Sequence, residues 1–270
     1  MLKTAMTSAA RQASTRSTTA SGSMVYESER AAMEYLQFHY GKPEEVVPYP
    51  FAPKEALSFL SRTVTDTVKL SRPDMRHRAL EVGCSVGRSS FELSRTFDEV
   101  IGIDFSQHFI DVANQMKDNG SALYEAHIQG DIKATRVAQV PEGIDRSKVH
   151  FEQGDACNLG AHLGAFDVVF ASNLLCRVPE PRVFLARLPS VVKKDGILAL
   201  VSPYSWLEEY TPKEHWIGAT PETGDSFAEL ERILSPSFEL IERTQYPFLI
   251  REHDRKFQWG VSDGTFWRRK

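Results

Sequence analysis

Cysteine is scarce in this 270-residue chain. Cys84, Cys157 and Cys176 stand far apart, with no C-x-x-C pair and no Cys/His spacing suited to zinc. An odd, sparse set fits a reducing compartment and excludes a disulfide-built scaffold. No apolar run approaches the ~18 residues needed to span a bilayer, so no membrane segment is expected. A basic excess is missing too. The 32 Lys and Arg against 36 Asp and Glu leave a net charge of −4, whereas a nucleic-acid partner requires a basic face. The terminal "WRRK" is a local exception and reads as solvated. The 41% hydrophobic and 25% charged fractions are those of an ordinary globular protein.

Residues 1–23 stand apart. Fifteen of the 23 are Ala, Ser or Thr, three are basic and none is acidic. Such a stretch buries too little apolar surface to offset its ordering entropy. It reads as a disordered tail, or as an organellar transit peptide of the Arg/Ser-rich, acid-poor kind. The expected compartment is therefore the cytoplasm, or an organelle if the segment is a transit peptide. Residues 24–270 read as one domain, with 24–77 as a helical N-terminal cap.

Within the cap, "SERAAMEYLQFHYGKP" predicts a helix with Met33, Leu36 and Tyr40 on one face, Ser28 as its cap, and Gly41 and Pro43 as its stop. A second helix is expected from about Pro53, with Leu57, Leu60, Val64 and Val68 at helical spacing. From Arg78 short apolar strands alternate with helices: "ALEVG", "EVIGID", "KVHFEQGD", "FDVVFASN" and "ILALVSP" are the strands. This alternation predicts βαβ units and a parallel sheet. Residues 117–147 are polar and are expected to be an insertion with some helix. The last third ends in "FELIERTQYPFLI" and "KFQWGVSDGTFWRR", two strands at hairpin spacing. The fold class is thus α/β: a Rossmann-like, mostly parallel seven-stranded sheet, a C-terminal antiparallel hairpin and an N-terminal helical extension.

The loop "EVGCSVGRSS", Glu81 to Ser90, admits three readings. Gly83-Cys84-Ser85-Val86-Gly87 matches the G-x-S-x-G of a hydrolase elbow, with Ser85 as nucleophile. No glycine-rich oxyanion loop precedes it, and the strand stands first in its sheet. A dinucleotide site needs G-x-G-x-x-G, but Ser85 and Arg88 occupy the second and third glycine positions. An acid at the strand end followed by G-x-x-x-G is the arrangement of Rossmann-like methyltransferases that use S-adenosylmethionine. A pyrophosphate favours a bare helix N-terminus. An ammonium and a sulfonium instead favour a carboxylate such as Glu81, while Gly83 and Gly87 let the backbone approach. Asp104 ends the second strand, 23 residues after Glu81, where an acid can accept the ribose hydroxyls. Such charge-assisted bonds are worth roughly 1.5–3 kcal/mol each. Asp155 ends the third strand, in "GDACNL", with Ala156 beside it. Alternatively, Asp104 is a helix cap, Asp155 a turn residue and the glycines plain turn formers.

Beyond the tail, the chain resembles the mercaptohistidine N-methyltransferases of ovothiol biosynthesis, a branch of that class. The blocks that carry the resemblance are "YLQFHYG", "PYPFAPKEAL", "LEVGCSVGRSSFELS", "GDACNL", "SPYSWLEEYTPKEHWIG" and "PFLIREHDRKFQWGVSDGTFWRR", from about residue 26 to 269. The resemblance implies methyl transfer from S-adenosylmethionine to a ring nitrogen of 5-mercaptohistidine. The thiolate-bearing ring supplies its own lone pair, so no obligatory general base is expected. In many organisms this domain follows a sulfoxide synthase; none precedes it here, so a free-standing enzyme is expected, with a separate synthase as its partner. Expected cofactor contacts are Glu81, Gly83, Cys84, Gly87, Asp104, Asp155 and Ala156. Expected acceptor contacts are Asn173, Tyr204, Trp206, His215, Arg251, His253 and Tyr40, with Arg251 on the substrate carboxylate. No metal site is expected. The rival readings are methylation of another small amine, imidazole or thiol, and a silent partner of a synthase.

Overall fold

The computed structural model describes residues 21–270. The expected tail or transit peptide therefore falls almost wholly outside the described residues, which open with a 3-10 turn over Ser21–Glu27. Helix α1 (Glu29–Tyr40) follows. The Ser28 hydroxyl accepts the Ala31 N–H at its start, and the chain leaves it at Gly41. A short turn, α2 (Pro43–Val46), and α3 (Phe59–Leu70) complete the cap. Then come β1 (Arg78–Val82), α4 (Arg88–Leu93), β2 (Glu99–Asp104) and α5 (Gln107–Asn119). Two further strands, β3 (Ser121–Gln129) and β4 (Ile132–Gln139), precede β5 (Val149–Gln153) and β6 (Phe166–Ser172). The chain ends with α6 (Pro181–Val191), β7 (Val192–Ser202), α7 (Ser226–Leu234), β8 (Phe238–His253) and β9 (Lys256–Arg269).

Seven strands form one sheet in the order β5-β2-β1-β6-β7-β9-β8. All neighbours are parallel except β9, which runs antiparallel to β7 and β8. The central strands read as apolar runs because helices cover both faces. On β1, Ala79 joins the core beneath α1, α3, α4 and α5, whereas Leu80 and Val82 join the core beneath α6 and α7. Strand alternation therefore turns Glu81 toward the α4 side.

The expected helical insertion over 117–147 is instead an antiparallel hairpin of β3 and β4. Its inward side carries Ala122, Tyr124 and Ala126 at a spacing of two, all buried. Leu123 and Glu125 alternate with them on the outer side, so the period is that of a strand.

At the edge of the sheet opposite the cleft, Asp167 of β6 is buried. Its carboxylate accepts the N–H groups of His77 (3.2 Å) and Arg78 (2.8 Å) and pairs with Lys193 at 2.8 Å. Burial raises its proton affinity, but Lys193 and the two backbone donors outweigh that and hold its pKa below the ordinary value. Asp167→Ala would leave two backbone donors without partners, at about 1–3 kcal/mol. The expected outcome is a melting temperature lower by several degrees. Because the folded pKa is depressed, the wild-type advantage is present near neutrality and fades as pH falls through the carboxylate range. Thermal unfolding of both proteins between pH 3 and 7 measures it.

Candidate active site

The strand order reverses between β1 and β6, and ligands of open α/β sheets bind beyond the carboxyl ends at such a switch point. Here those ends open into a cleft of about 1080 Å³, counted to its mouth. Glu81, Asp104 and Asp155, from the ends of β1, β2 and β5, all line it.

The loop after β1 depends on its two glycines. Gly83 has φ +81°, and a Cβ there would stand 3.0 Å from Leu174. Gly87 has φ +89°, and a Cβ there would stand 2.5 Å from Phe151. Between them Ser85 adopts φ +49°, a conformation that costs a side-chain-bearing residue roughly 1–2 kcal/mol. Its backbone N–H donates to Asp104 Oδ2 at 2.8 Å, and a bond to a charged acceptor is worth about as much or more. Asp104 Oδ1 accepts from Ser106 N at 2.9 Å. Burial, opposed by these bonds, raises its pKa to about 6.

Glu81 is 3% exposed and accepts from Ser90 Oγ at 2.5 Å. Burial pushes its pKa to about 8, against the pull of the Ser90 hydroxyl. Beside it, the buried hydroxyls of Ser85 and Ser89 line the cleft and have no hydrogen-bond partner among the described residues. A buried carboxylate next to unsatisfied hydroxyls suits a ligand that carries an ammonium and an acceptor group together, as an amino acid does. No imidazole activates Ser85, so the hydrolase reading finds no base. Asp155 Oδ1 caps the following turn by accepting Cys157 N at 2.8 Å, while the residue still lines the cleft with Ala156.

The cap forms the opposite wall. Tyr35, Phe38 and His39 of α1, Phe59 and Leu60 of α3, and Tyr26 of the first turn all line the cleft. Tyr26 is fixed from both sides. Its carbonyl accepts Ser106 Oγ (3.0 Å), and Glu27 next to it accepts Gln107 N (3.1 Å) and His108 N (3.3 Å) at the start of α5. His39 is buried, and burial together with Arg88 lowers its pKa to about 3, so the ring is neutral. Its Nδ1 accepts the Arg88 N–H at 3.4 Å. At the end of β6 lie Ser172, whose buried hydroxyl has no partner among the described residues, and just past it Asn173, with φ +54° and Oδ1 accepting Ser262 Oγ at 2.7 Å. Arg177 and Ile250 close this end.

Among the residues expected at the site, Glu81, Gly83, Asp104, Asp155, Ala156 and Asn173 meet in the cleft; the others lie outside its lining. Cys84 is buried behind the loop, and burial raises its thiol pKa far above the ordinary value. Gly87 faces Phe151. Tyr40 donates to Val86 O at 2.8 Å, bracing the loop from behind. The aromatic side chains of the loop after β7 are tied to the protein rather than to the cleft. Trp206 Nε1 donates to Ser226 Oγ and stacks on Trp216, His215 Nδ1 meets Pro179 O, and Tyr204 donates to Asp263. Arg251 is 2% exposed and bonded to Glu45 O, His127 O and Asp254. It alternates along β8 with Ile250, which does reach the cleft, so its side chain faces the other way. His253 accepts Arg255 N in the hairpin turn. The spacing of Tyr35, Phe38 and His39, at i, i+3 and i+4, marks a second face of α1 that a reading of Met33, Leu36 and Tyr40 passes over.

Residues 80–200 match the family described as Methyltransferase domain. A curated O-methyltransferase of Pyrenophora dematioidea is 23% identical over 153 residues, 56% of this chain; the match spans about half that relative's length, 49%. Among solved structures, the N-methyltransferase NodS of Bradyrhizobium japonicum with S-adenosyl-L-homocysteine superposes with TM-score 0.51 at 13% identity, over 88% of this chain and 98% of that one. Magnesium protoporphyrin IX methyltransferase of Synechocystis with its bound donor gives TM-score 0.51 at 16% identity, over 90% and 98%. Bacillus YcgJ gives 0.53 at 14%, over 78% and 98%.

The raised pKa of Glu81 has a measurable consequence. The folded protein holds this proton more tightly than the unfolded chain, so its contribution to stability is full below the ordinary carboxylate pKa and is lost as pH rises through about 8. Glu81→Gln, which cannot ionise, is expected to gain on wild type in melting temperature between pH 6 and 9 in ligand-free protein. Parallel pH dependence of the two proteins would contradict this.

Proposed function

We propose that the chain is a class I methyltransferase that takes its methyl group from S-adenosylmethionine and places it on a ring nitrogen of 5-mercaptohistidine. One observation carries the choice of nitrogen over oxygen. A hydroxyl acceptor needs a base to take its proton, and the histidine lining the cleft, His39, has its pKa lowered to about 3. An acceptor that brings its own reactive lone pair, as a neutral imidazole beside a thiolate does, needs no such base. The flat rings of Tyr26, Tyr35, Phe38 and Phe59 suit a flat acceptor. The resemblance of the aromatic and C-terminal blocks supplies the rest.

In this reading Glu81 takes the donor's ammonium, Ser85 and Ser89 its carboxylate, Asp104 its ribose, and Asp155 with Ala156 its adenine end. Bound there, S-adenosylmethionine supplies a methyl group already activated by the positive sulfur. The chain's own work is alignment. Asn173 is held by Ser262 and by its N–H bond to Val201 O (2.7 Å), so it presents its amide N–H groups to the acceptor without rearranging. The aromatic wall excludes water and fixes the plane of the ring. Positioning of this kind can supply ~7–11 kcal/mol. The ring proton leaves to solvent after transfer.

Purified protein incubated with S-adenosylmethionine and a panel of histidine, 5-mercaptohistidine and ergothioneine-type thiols is expected to add one methyl mass to 5-mercaptohistidine, read by mass spectrometry. Methylation of a different panel member alone would replace this acceptor. Absence of calorimetric heat with S-adenosylmethionine would indicate a silent partner instead. The rate is expected to be level with pH above the acceptor thiol's pKa; a bell-shaped profile would call for a catalytic base. Glu81→Gln is expected to weaken S-adenosylmethionine binding by roughly 10- to 100-fold, the cost of about one charge-assisted bond. Calorimetry measures it.

A further inference from the structure

The cleft is electrically divided. Its acids, Glu81, Asp104 and Asp155, lie at the ends of β1, β2 and β5. Its arginine, Arg177, lies past the end of β6, on the acceptor side. Arg177 has no carboxylate within salt-bridge distance among the described residues, although it is half-buried. Its Nη1 donates to Cys176 O at 2.9 Å and Ser205 O at 2.7 Å, and Nη2 reaches Ser205 Oγ only at 3.5 Å. Nε makes no hydrogen bond. The Nε/Nη2 edge is the edge that takes a carboxylate through two parallel bonds.

The guanidinium also packs against an aromatic ring. Its carbon lies 4.6 Å from the centre of the Tyr210 ring, and the Tyr210 and Tyr26 ring centres are 6.1 Å apart. Tyr26 lines the cleft together with Arg177. Burial first, and the neighbouring tyrosines after it, raise the Tyr26 pKa against the pull of Arg177, so its phenol stays protonated. A cationic fork and a phenol thus line one cleft with the acids at the ends of β1, β2 and β5.

We infer that Arg177, supported by Tyr210 and joined by Tyr26, is the anchor for an acidic group of the acceptor, so that the substrate class is a flat ring bearing a carboxylate. The inference rests on the reading of this cleft as a methyltransferase site but not on mercaptohistidine as the acceptor. It ties the loop after β7 to the cleft through Ser205 and Tyr210, both of which hold Arg177. It also assigns the carboxylate to an arginine other than Arg251.

The test pairs two probes that share a ring and differ in charge: 3-(imidazol-4-yl)propionate and histamine. Calorimetry on full-length protein loaded with S-adenosylhomocysteine is expected to show the acid binding at least tenfold more tightly than the amine, with a preference that shrinks as salt rises. Arg177→Met is expected to abolish the preference, Arg177→Lys to retain part of it, and Tyr26→Phe to reduce it a few-fold. S-adenosylhomocysteine affinity should stay within threefold of wild type in each, which a merely structural loss would not permit. Equal binding of the two probes by wild type, no binding of the acid, or an undiminished preference in Arg177→Met would each overturn the proposal. Failure to methylate 5-mercaptohistidine would remove the proposed acceptor and leave this anchor standing.

Discussion

The site depends on a carboxylate placed where a carboxylate is costly. Glu81 lies at the end of the central strand, beneath α4 and out of water. Burying a charge without a partner is expensive enough that the group keeps its proton instead, which is the meaning of its elevated pKa. The Ser90 hydroxyl offsets part of that cost, and it reaches Glu81 because Gly87 turns the chain tightly into α4. A cationic ligand offsets the remainder. The loop, the short helix and the buried acid form one arrangement that is complete only when a positive group enters.

Around that acid the chain builds two unlike half-sites. The sheet contributes acids and bare hydroxyls, fixed by strand ends and backbone bonds. The cap contributes aromatic rings, and the segment after β6 contributes Asn173 and Arg177. The first half suits a charged donor of constant structure. The second is where relatives with the same sheet would differ, because its residues come from the N-terminal cap and from turns rather than from the strands. This is consistent with a shared fold at 13–16% identity among proteins named for different acceptors.

The acid-lined half of the cleft was legible in the sequence because its signal is local. Glu81, the glycine pair, Asp104 and Asp155 each follow an apolar run, and strand ends of a parallel sheet share one edge. The opposite half was not, because it depends on which face a residue occupies in three dimensions. Ile250 and Arg251 differ by one position and point to opposite sides of β8; chemistry favoured the arginine, and geometry placed the isoleucine in the cleft. Tyr40 and His39 repeat the lesson on α1. Trp206 and His215 attracted attention as aromatic and polar residues in a long loop, yet their ring N–H and imidazole groups are taken up by Ser226 and by the Pro179 carbonyl. The β3–β4 hairpin was obscured because its outer side mixes exposed apolar residues, Leu123 and Val137, with polar ones, and its inner face is marked mainly by alanines.

Two walls of this pocket share one foothold. Tyr26 belongs to a single 3-10 turn, tied to the start of α5 by Ser106 Oγ on its carbonyl and by the Glu27 carboxylate on two backbone N–H groups, with its ring against Tyr35 and Phe109. The same Ser106 gives its backbone N–H to Asp104. The aromatic wall and the acid at the end of β2 are thus registered against one short stretch, Ser106 to His108, so that a shift there would carry both sides of the cleft together.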